Sequence, residues 1–345
     1  MSTTTVSSAM ISSGVLPAVH RNDIINGGLV VNQENQTAPA DAAYTIGDLF
    51  LHNGEGTPVM SLETDGPQGT RPWQKMVLDA NDQGGLAYIV PNDTVQDYIA
   101  NGKLSFGIQL KTTAATISNA RIGILKWTGT ADAVTKELVG TWASDGTNPT
   151  LATSLSYENT PANIGLTTSW ARHTVEDVTV DSDTKNIVIF VWTDDGTITA
   201  SDVIGFSEWQ CNPGSTVHAF SSPGVERVLF DIEYYLHRLK LDKVSDERIA
   251  FGGVTATNQI EAIYHYPRKL RAIPVITQSA FATFTGRDSA ATAACDSMTH
   301  NSIAKDTVNL LFHQAGTSWT VGQAGHGRRA TTATAFIQFD ARIGV

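Results

Sequence analysis

The chain of 345 residues has only two cysteines, Cys211 and Cys295. Two thiols this far apart build no disulfide framework, no zinc site and no paired redox motif. The spacing leaves a single bridge between them open. Two buried free thiols are the expected state, because an isolated Cys packs as a small apolar side chain. Charge is scarce too: Asp, Glu, Lys and Arg make up 17% of the residues, and the formal net charge is −11. Such a surface repels nucleic acid and anionic membranes unless basic residues gather locally. Only Arg328-Arg329 and the loose group Arg268, Lys269 and Arg271 gather at all, and neither makes a stripe. No apolar run reaches the roughly 18 residues of a membrane span, so no membrane insertion is expected. Residues 1–22 are rich in Ser and Thr, lack a basic start and have no compact apolar stretch. They do not read as a secretory signal. Synthesis and assembly in a cytoplasm are therefore expected, with any outside role reached through a released particle.

What the chain has in quantity is strand material. Apolar residues make up 41% and Gly numbers 29, enough for a core and for many turns. Residues 103–112 alternate strictly, with Leu104, Phe106, Ile108 and Leu110 on one face. Ile187 to Val191 run almost continuously apolar, as expected of a central strand covered on both faces. Residues 22–33 read as two short strands around Gly27-Gly28, and residues 225–241 as closing strands. Phe336, Gln338 and Asp340 alternate with Ile337, Phe339 and Ala341 at the C-terminus. Helical signals are few. Residues 92–102 suit one helical turn capped by Asn92 or Asp93, and residues 130–138 suit a short helix or a loop. Strands at this spacing predict an all-β protein: an antiparallel jelly-roll sandwich followed by a second, smaller β-sandwich domain. The expected division is an N-terminal anchoring arm at 1–22, the jelly roll at 23–242 and a C-terminal β-domain at 243–345. There is no internal repeat, collagen pattern or heptad, so a long fibrous shaft is excluded.

Four stretches, in order, resemble a known group. Residues 22–33 carry an Asn-x-x-x-Asn-Gly opening followed by Gln33. Residues 98–112 carry a Gly102-Lys103 turn into an alternating strand. Residues 203–241 carry closing strands with Glu226 and Tyr234-Tyr235. Residues 266–277 and 336–343 carry a Pro-and-Arg strand and an acidic-ended strand. Together they resemble bacteriophage tail-fibre and head-fibre-like virion proteins with a carbohydrate-binding-module-like jelly roll. The chain departs from that pattern at Phe230–Glu233 and at Arg342, where an acidic residue is common. The resemblance implies a non-enzymatic virion protein on the particle surface. It implies a short tail fibre or receptor-binding protein adhering to host surface glycan, with a head fibre or decoration protein of architectural role as the alternative. It further implies a homotrimer and attachment to other virion proteins through the arm.

No residue is assigned a catalytic role, and no cofactor or metal is expected. The nine histidines (His20, His52, His173, His218, His237, His265, His300, His313 and His326) show no metal-ligand spacing. No nucleophile elbow accompanies them. Glu176, Asp177 and Glu208 are acids of the kind that cleaves glycans in pairs, yet the long repeat scaffold typical of such depolymerases is missing. Asp181, Ser182, Asp183 and Asn186, and likewise Asp194-Asp195-Gly196, carry oxygen ligands suited to calcium, but equally suit turns. Gly322–Arg329 reads as a flexible basic loop. Seven tryptophans (Trp73, Trp127, Trp142, Trp170, Trp192, Trp209 and Trp319) are core material or sugar platforms.

Overall fold

The computed structural model describes residues 21–79, 83–113, 117–143, 145–194, 198–241, 247–316, 318–330 and 335–344. Most of the expected arm and the boundary at 242/243 lie outside the described residues. In chain order the strands of the first unit are β1 (Ala43–Tyr44), β2 (Phe50–Gly54), β3 (Val59–Glu63), β4 (Trp73–Val77), β5 (Gly84–Val90), β6 (Lys103–Thr112), β7 (Asn119–Trp127), β8 (Val139–Thr141), β9 (Thr150–Leu151), β10 (Leu155–Tyr157), β11 (Ile164–Gly165), β12 (Ala171–Thr179), β13 (Asn186–Thr193) and β14 (Val203–Pro213). Helix α1 (Asn92–Asn101) joins β5 to β6, and helix α2 (Val225–Ile232) follows β14. One sheet runs β1-β2-β5-β13-β7-β10, with β11 also on β7. The other runs β12-β6-β14-β4-β3. The ladders are antiparallel, and the two sheets form the expected jelly-roll sandwich.

Alternation explains how the sheets meet. Leu104, Phe106, Ile108 and Leu110 of β6 bury one side of their strand in a core shared with Leu86, Tyr88 and Val90 of β5 and Ile187, Ile189 and Val191 of β13. Each fully buried side chain of this size contributes about 1.5–3 kcal/mol. Trp209 sits at the centre, 4.9 Å from Phe50 and 5.7 Å from Phe106 between ring centroids. The outer side of the first sheet is covered as well. Leu125, Val188, Phe190 and Trp192 pack there against Val134, Leu138, Val139 and Ile343. The apolar run in β13 thus has a core on each face.

The second unit comprises β15 (Leu236–Leu241), β16 (Arg248–Ala256), β17 (Gln259–His265), β18 (Val275–Gln278), β19 (Phe284–Arg287), β20 (Thr292–Ala294), β21 (Ser297–Asn301), β22 (Thr307–His313), β23 (Ala324–Arg329) and β24 (Ala335–Asp340). They form a three-stranded sheet, β15-β24-β18, and a seven-stranded one, β20-β19-β23-β16-β17-β22-β21. Ile260, Phe284, Val308, Leu310, Phe312, Ile337 and Phe339 share their core. Strand β15 precedes the expected boundary at 242/243, yet it pairs along its length with β24, the last strand.

Several local expectations are corrected. Residues 22–33 form turns instead of two strands, with Asn26 and Leu29 in the left-handed region. Residues 225–232 are helical because Val225, Val228, Leu229 and Ile232 recur at helical spacing, and Val228 and Ile232 bury that face. The expected single turn after Pro91 is a ten-residue helix, with Pro91 itself at the cap position. Residues 130–138, which suited a short helix or a loop, take the second of these forms. Gly322–Arg329 is no flexible loop: Ala324–Arg329 is a central strand, and a Cβ on Gly327 would lie 2.1 Å from the Phe312 ring. Arg328 and Arg329 are buried with it, Arg329 donating to the Leu241 carbonyl.

The two units meet around a buried guanidinium. Arg342 pairs with Asp340 at 2.5 Å and Glu34 at 2.7 Å, donates to the Asp48 carbonyl at 2.7 Å, and lies 3.9 Å from the centroid of Tyr44. Tyr44 donates in turn to the Ile343 carbonyl. Removing one member of such a cluster leaves the others charged and buried. Arg342→Ala is expected to lower stability by about 3–5 kcal/mol, read by denaturant unfolding. A loss near zero would show that the cluster is not a tie.

A second effect concerns Glu137. Partial burial, a hydrogen bond to Asp41 and the charge of Asp41 raise its pKa to about 7, above the usual carboxylate range. The folded state holds this proton more tightly than the unfolded one, so the contribution is intact below the unfolded pKa and is lost as pH rises through the folded one. Glu137→Gln is therefore expected to melt above the parent protein in alkaline buffer. The gap should close in acidic buffer; a gap independent of pH would contradict the assignment.

Candidate functional site

With the seven-stranded sheet of the first unit covered on both sides, the outer side of the five-stranded sheet is the surface to examine. Alternation sends Gln109 and Lys111 of β6, Lys75 of β4, Gly205 and Ser207 of β14 and Arg172 of β12 outward. Two tryptophans meet over Gly205. Trp73, on β4, and Trp170, just before β12, pack edge to face at 5.4 Å between centroids. A Cβ on residue 205 would stand 2.9 Å from two Trp73 ring carbons and 3.0 Å from Trp170. The Trp73 indole donates to Asp65 at 2.7 Å, which fixes the ring. That bond also lowers the pKa of Asp65, and Lys111 and Lys75 add to the effect. Lys111 Nζ lies 4.1 Å from the Trp73 centroid and 4.8 Å from that of Trp170. Trp73 is buried by this packing, whereas Trp170 is half-exposed.

Polar groups continue the strip. Between Ser207 and Gln210 the register of β14 against β6 slips, so that Glu208 and Trp209 oppose Ile108 alone. Glu208 has φ 52° in this bulge. Trp209 turns into the core, and the buried Glu208 carboxylate lies 3.4 Å from Arg71. Glu208 Oε1 and Gln109 Oε1 are buried and accept no hydrogen bond among the described residues. Buried acceptors without partners are uncommon and costly. Arg172 reaches over Gly107 and donates to the His218 carbonyl. Arg71 stacks on Phe220 at 5.3 Å.

The other sequence candidates lie elsewhere. Glu176 and Asp177 form a second bulge, on β12, and line an open cleft of ≈ 450 Å³ with Glu158. The structure does not bring Glu208 into that cleft. Glu176 accepts the Val217 amide at 2.7 Å, and Asp177 faces Lys103 at 3.4 Å. Asp181 and Asp183 hold Lys126 at 2.5 and 3.2 Å, and Asn186 bonds Val90 and Asp132. Asp194 pairs with Arg121 at 2.8 Å; Asp195 and Gly196 lie outside the described residues. Among the described residues no three His, Cys, Asp or Glu side chains converge on a metal site. Both thiols are free and buried, and burial pushes each up to about 12. Trp192, Trp209 and Trp319 are core, Trp127 is nearly so, and Trp142 packs on the covered sheet. Sequence reasoning missed Gln109, Lys111 and Arg71, although the alternation of β6 already set Gln109 and Lys111 on the outer face.

No protein-family model matches the chain, and no curated protein matches it. Among solved structures, a putative sugar-binding protein from Bacteroides thetaiotaomicron is 11% identical, with a TM-score of 0.34 over 56% of this chain and all of its own. A xylan-binding domain of carbohydrate-binding module family 22 is 13% identical, with a TM-score of 0.34, covering 54% of this chain and 99% of its own. A family 61 module solved with β-1,4-galactotriose is 13% identical, with a TM-score of 0.32, covering 56% and 99%. At such identities, what this face binds has to come from its own side chains.

The two tryptophans need residue 205 to lack a side chain. Gly205→Val is expected to displace Trp170, reddening tryptophan emission and costing about 1–3 kcal/mol through overpacking. Unchanged emission and stability would refute the contact.

Proposed function

We propose that this protein is a non-enzymatic adhesin whose outer five-stranded sheet binds cell-surface glycan. The observation that carries the reading is one strip holding a half-exposed Trp170, its neighbour Lys111, and two acceptors, Gln109 Oε1 and Glu208 Oε1, that take no hydrogen bond among the described residues, the second with Arg71 3.4 Å away. A pyranose has an apolar face that stacks on indole and a rim of hydroxyls that donate to such acceptors. Binding without cleavage is supported by the acids themselves. Glu208 is held beside Arg71, and Glu176 accepts a backbone amide, so each is already engaged by a donor of the protein itself.

The setting we propose is a bacteriophage particle, with this chain as a short tail fibre attached through residues 1–22 and assembled as a homotrimer. The motifs at 22–33, 98–112, 203–241 and 266–277 support it. Immunogold labelling of purified particles reads the location directly, at tail or at capsid.

The binding test is a glycan array of host-surface polysaccharides followed by titration of the best ligand. Trp170→Ala and Gln109→Ala are each expected to weaken binding by about tenfold or more. Trp142→Ala, on the covered sheet, should leave it intact, and no reducing ends should appear. Absence of binding to any glycan, or undiminished binding by Trp170→Ala, would overturn the proposal.

A further inference from the structure

The junction of the two units holds a second recess. The turn at residues 32–35 and strand β15 enclose ≈ 660 Å³ lined by Asn32, Gln33, Glu34, Asn35, Arg238 and Lys240. Sites for small ligands span roughly 300–1,000 Å³. Arg238 is fixed in advance. Its guanidinium stacks 4.0 Å from the Phe336 centroid, and its NH1 group donates to the Glu34 carbonyl at 3.1 Å and Gln338 Oε1 at 3.0 Å. No described residue takes the other N–H groups of the fork, and no described carboxylate lies within ion-pair distance of it. The one acidic lining residue, Glu34, is already committed to Arg342 at 2.7 Å and to the Gln338 amide at 3.2 Å. The wall opposite is equally ordered. Asn32 and Asn35 bond each other, and the Asp48 carboxylate accepts the backbone amides of Gln33 and Glu34.

We propose that this recess binds an acidic saccharide, with its carboxylate on the Arg238 fork and its hydroxyls on Asn32 and Asn35. A planar, pre-positioned guanidinium matches a carboxylate through two parallel hydrogen bonds. Carboxamides supply both the donors and the acceptors that hydroxyls need. The site is separate from the face carrying Trp170 and does not rest on that reading.

Calorimetric titration of the full chain with trigalacturonate, neutral galactotriose and inorganic phosphate tests it. Trigalacturonate is expected to bind, more weakly in high salt, with galactotriose and phosphate at least about tenfold weaker. Arg238→Met keeps the packing on Phe336 without the charge and should reduce binding by about tenfold or more. Trp170→Ala should leave trigalacturonate binding unchanged, which separates failure of this site from failure of the other. In the unaltered protein the Arg238 Nε–Hε resonance should shift on titration, a readout that stands even if Arg238→Met folds poorly. No trigalacturonate binding, equal binding of galactotriose or phosphate, a still Arg238 resonance, or unchanged affinity in Arg238→Met would each overturn the proposal.

Discussion

The larger sheet of the first unit is apolar on both sides, and burying both sides organises the molecule. Its inner side takes the facing sheet. Its outer side, with Phe190 and Trp192, needs another cover, and the long connection after β7 supplies Val134, Leu138 and Val139. The end of the chain completes it with Ile343, which ties the second unit to the first. One sheet face of the first unit is thereby left without an apolar cover. It is the outer side of the five-stranded sheet, where β6 alternates with Gln109 and Lys111 instead of apolar residues.

Two bulges set what that sheet displays. A strand has a period of two, so apolar residues that change parity along it cannot all face the core without an inserted residue. Ile204 and Phe206 are even in β14, while Trp209 and Cys211 are odd. Val175 is odd in β12, while Val178 is even. In both strands the register slips at the change. The residues left over are Glu208 in one and Glu176 with Asp177 in the other, and Glu208 and Asp177 take positive φ. The three acids that stand out in the sequence are therefore by-products of keeping Trp209, Cys211 and Val178 inside. The Glu208 bulge has a second consequence: it ends the pairing of β14 with β4, and the backbone of residues 23–27 takes over, Asp23 donating to Cys211 and Trp209 to Gly27. This is why residues 22–33 are turns despite their β-branched composition.

Where period and composition were local, the fold was legible. The alternation of β6, the apolar run of β13 and the alternation of β24 describe their strands without knowledge of partners. Residues 225–232 failed because a short apolar run fits either period, and only burial of Val228 and Ile232 chooses. Residues 324–329 failed for the opposite reason. Glycine signals a turn locally, but here it makes room for Phe312 from a strand three ladders away. The candidate site was legible only in parts. Seven tryptophans were visible, but what selects Trp73 and Trp170 is a third residue, Gly205, whose missing side chain lets rings 97 positions apart in the chain meet.

The junction shows how one departure from the resembled pattern reorganises its surroundings. An acidic residue at position 342 would meet Asp340 and Glu34, three like charges in a largely buried space. A guanidinium there instead binds both carboxylates and rests on Tyr44. Once Glu34 is spent on Arg342, it offers Arg238 its backbone carbonyl and not its carboxylate. The second arginine is left without a carboxylate of its own at ion-pair distance among the described residues, beside a polar recess. Burial of one cation at the tie between the units thus leaves another available to a ligand. The rigidity of that tie is what makes the recess a preformed site, because association then orders less of the protein.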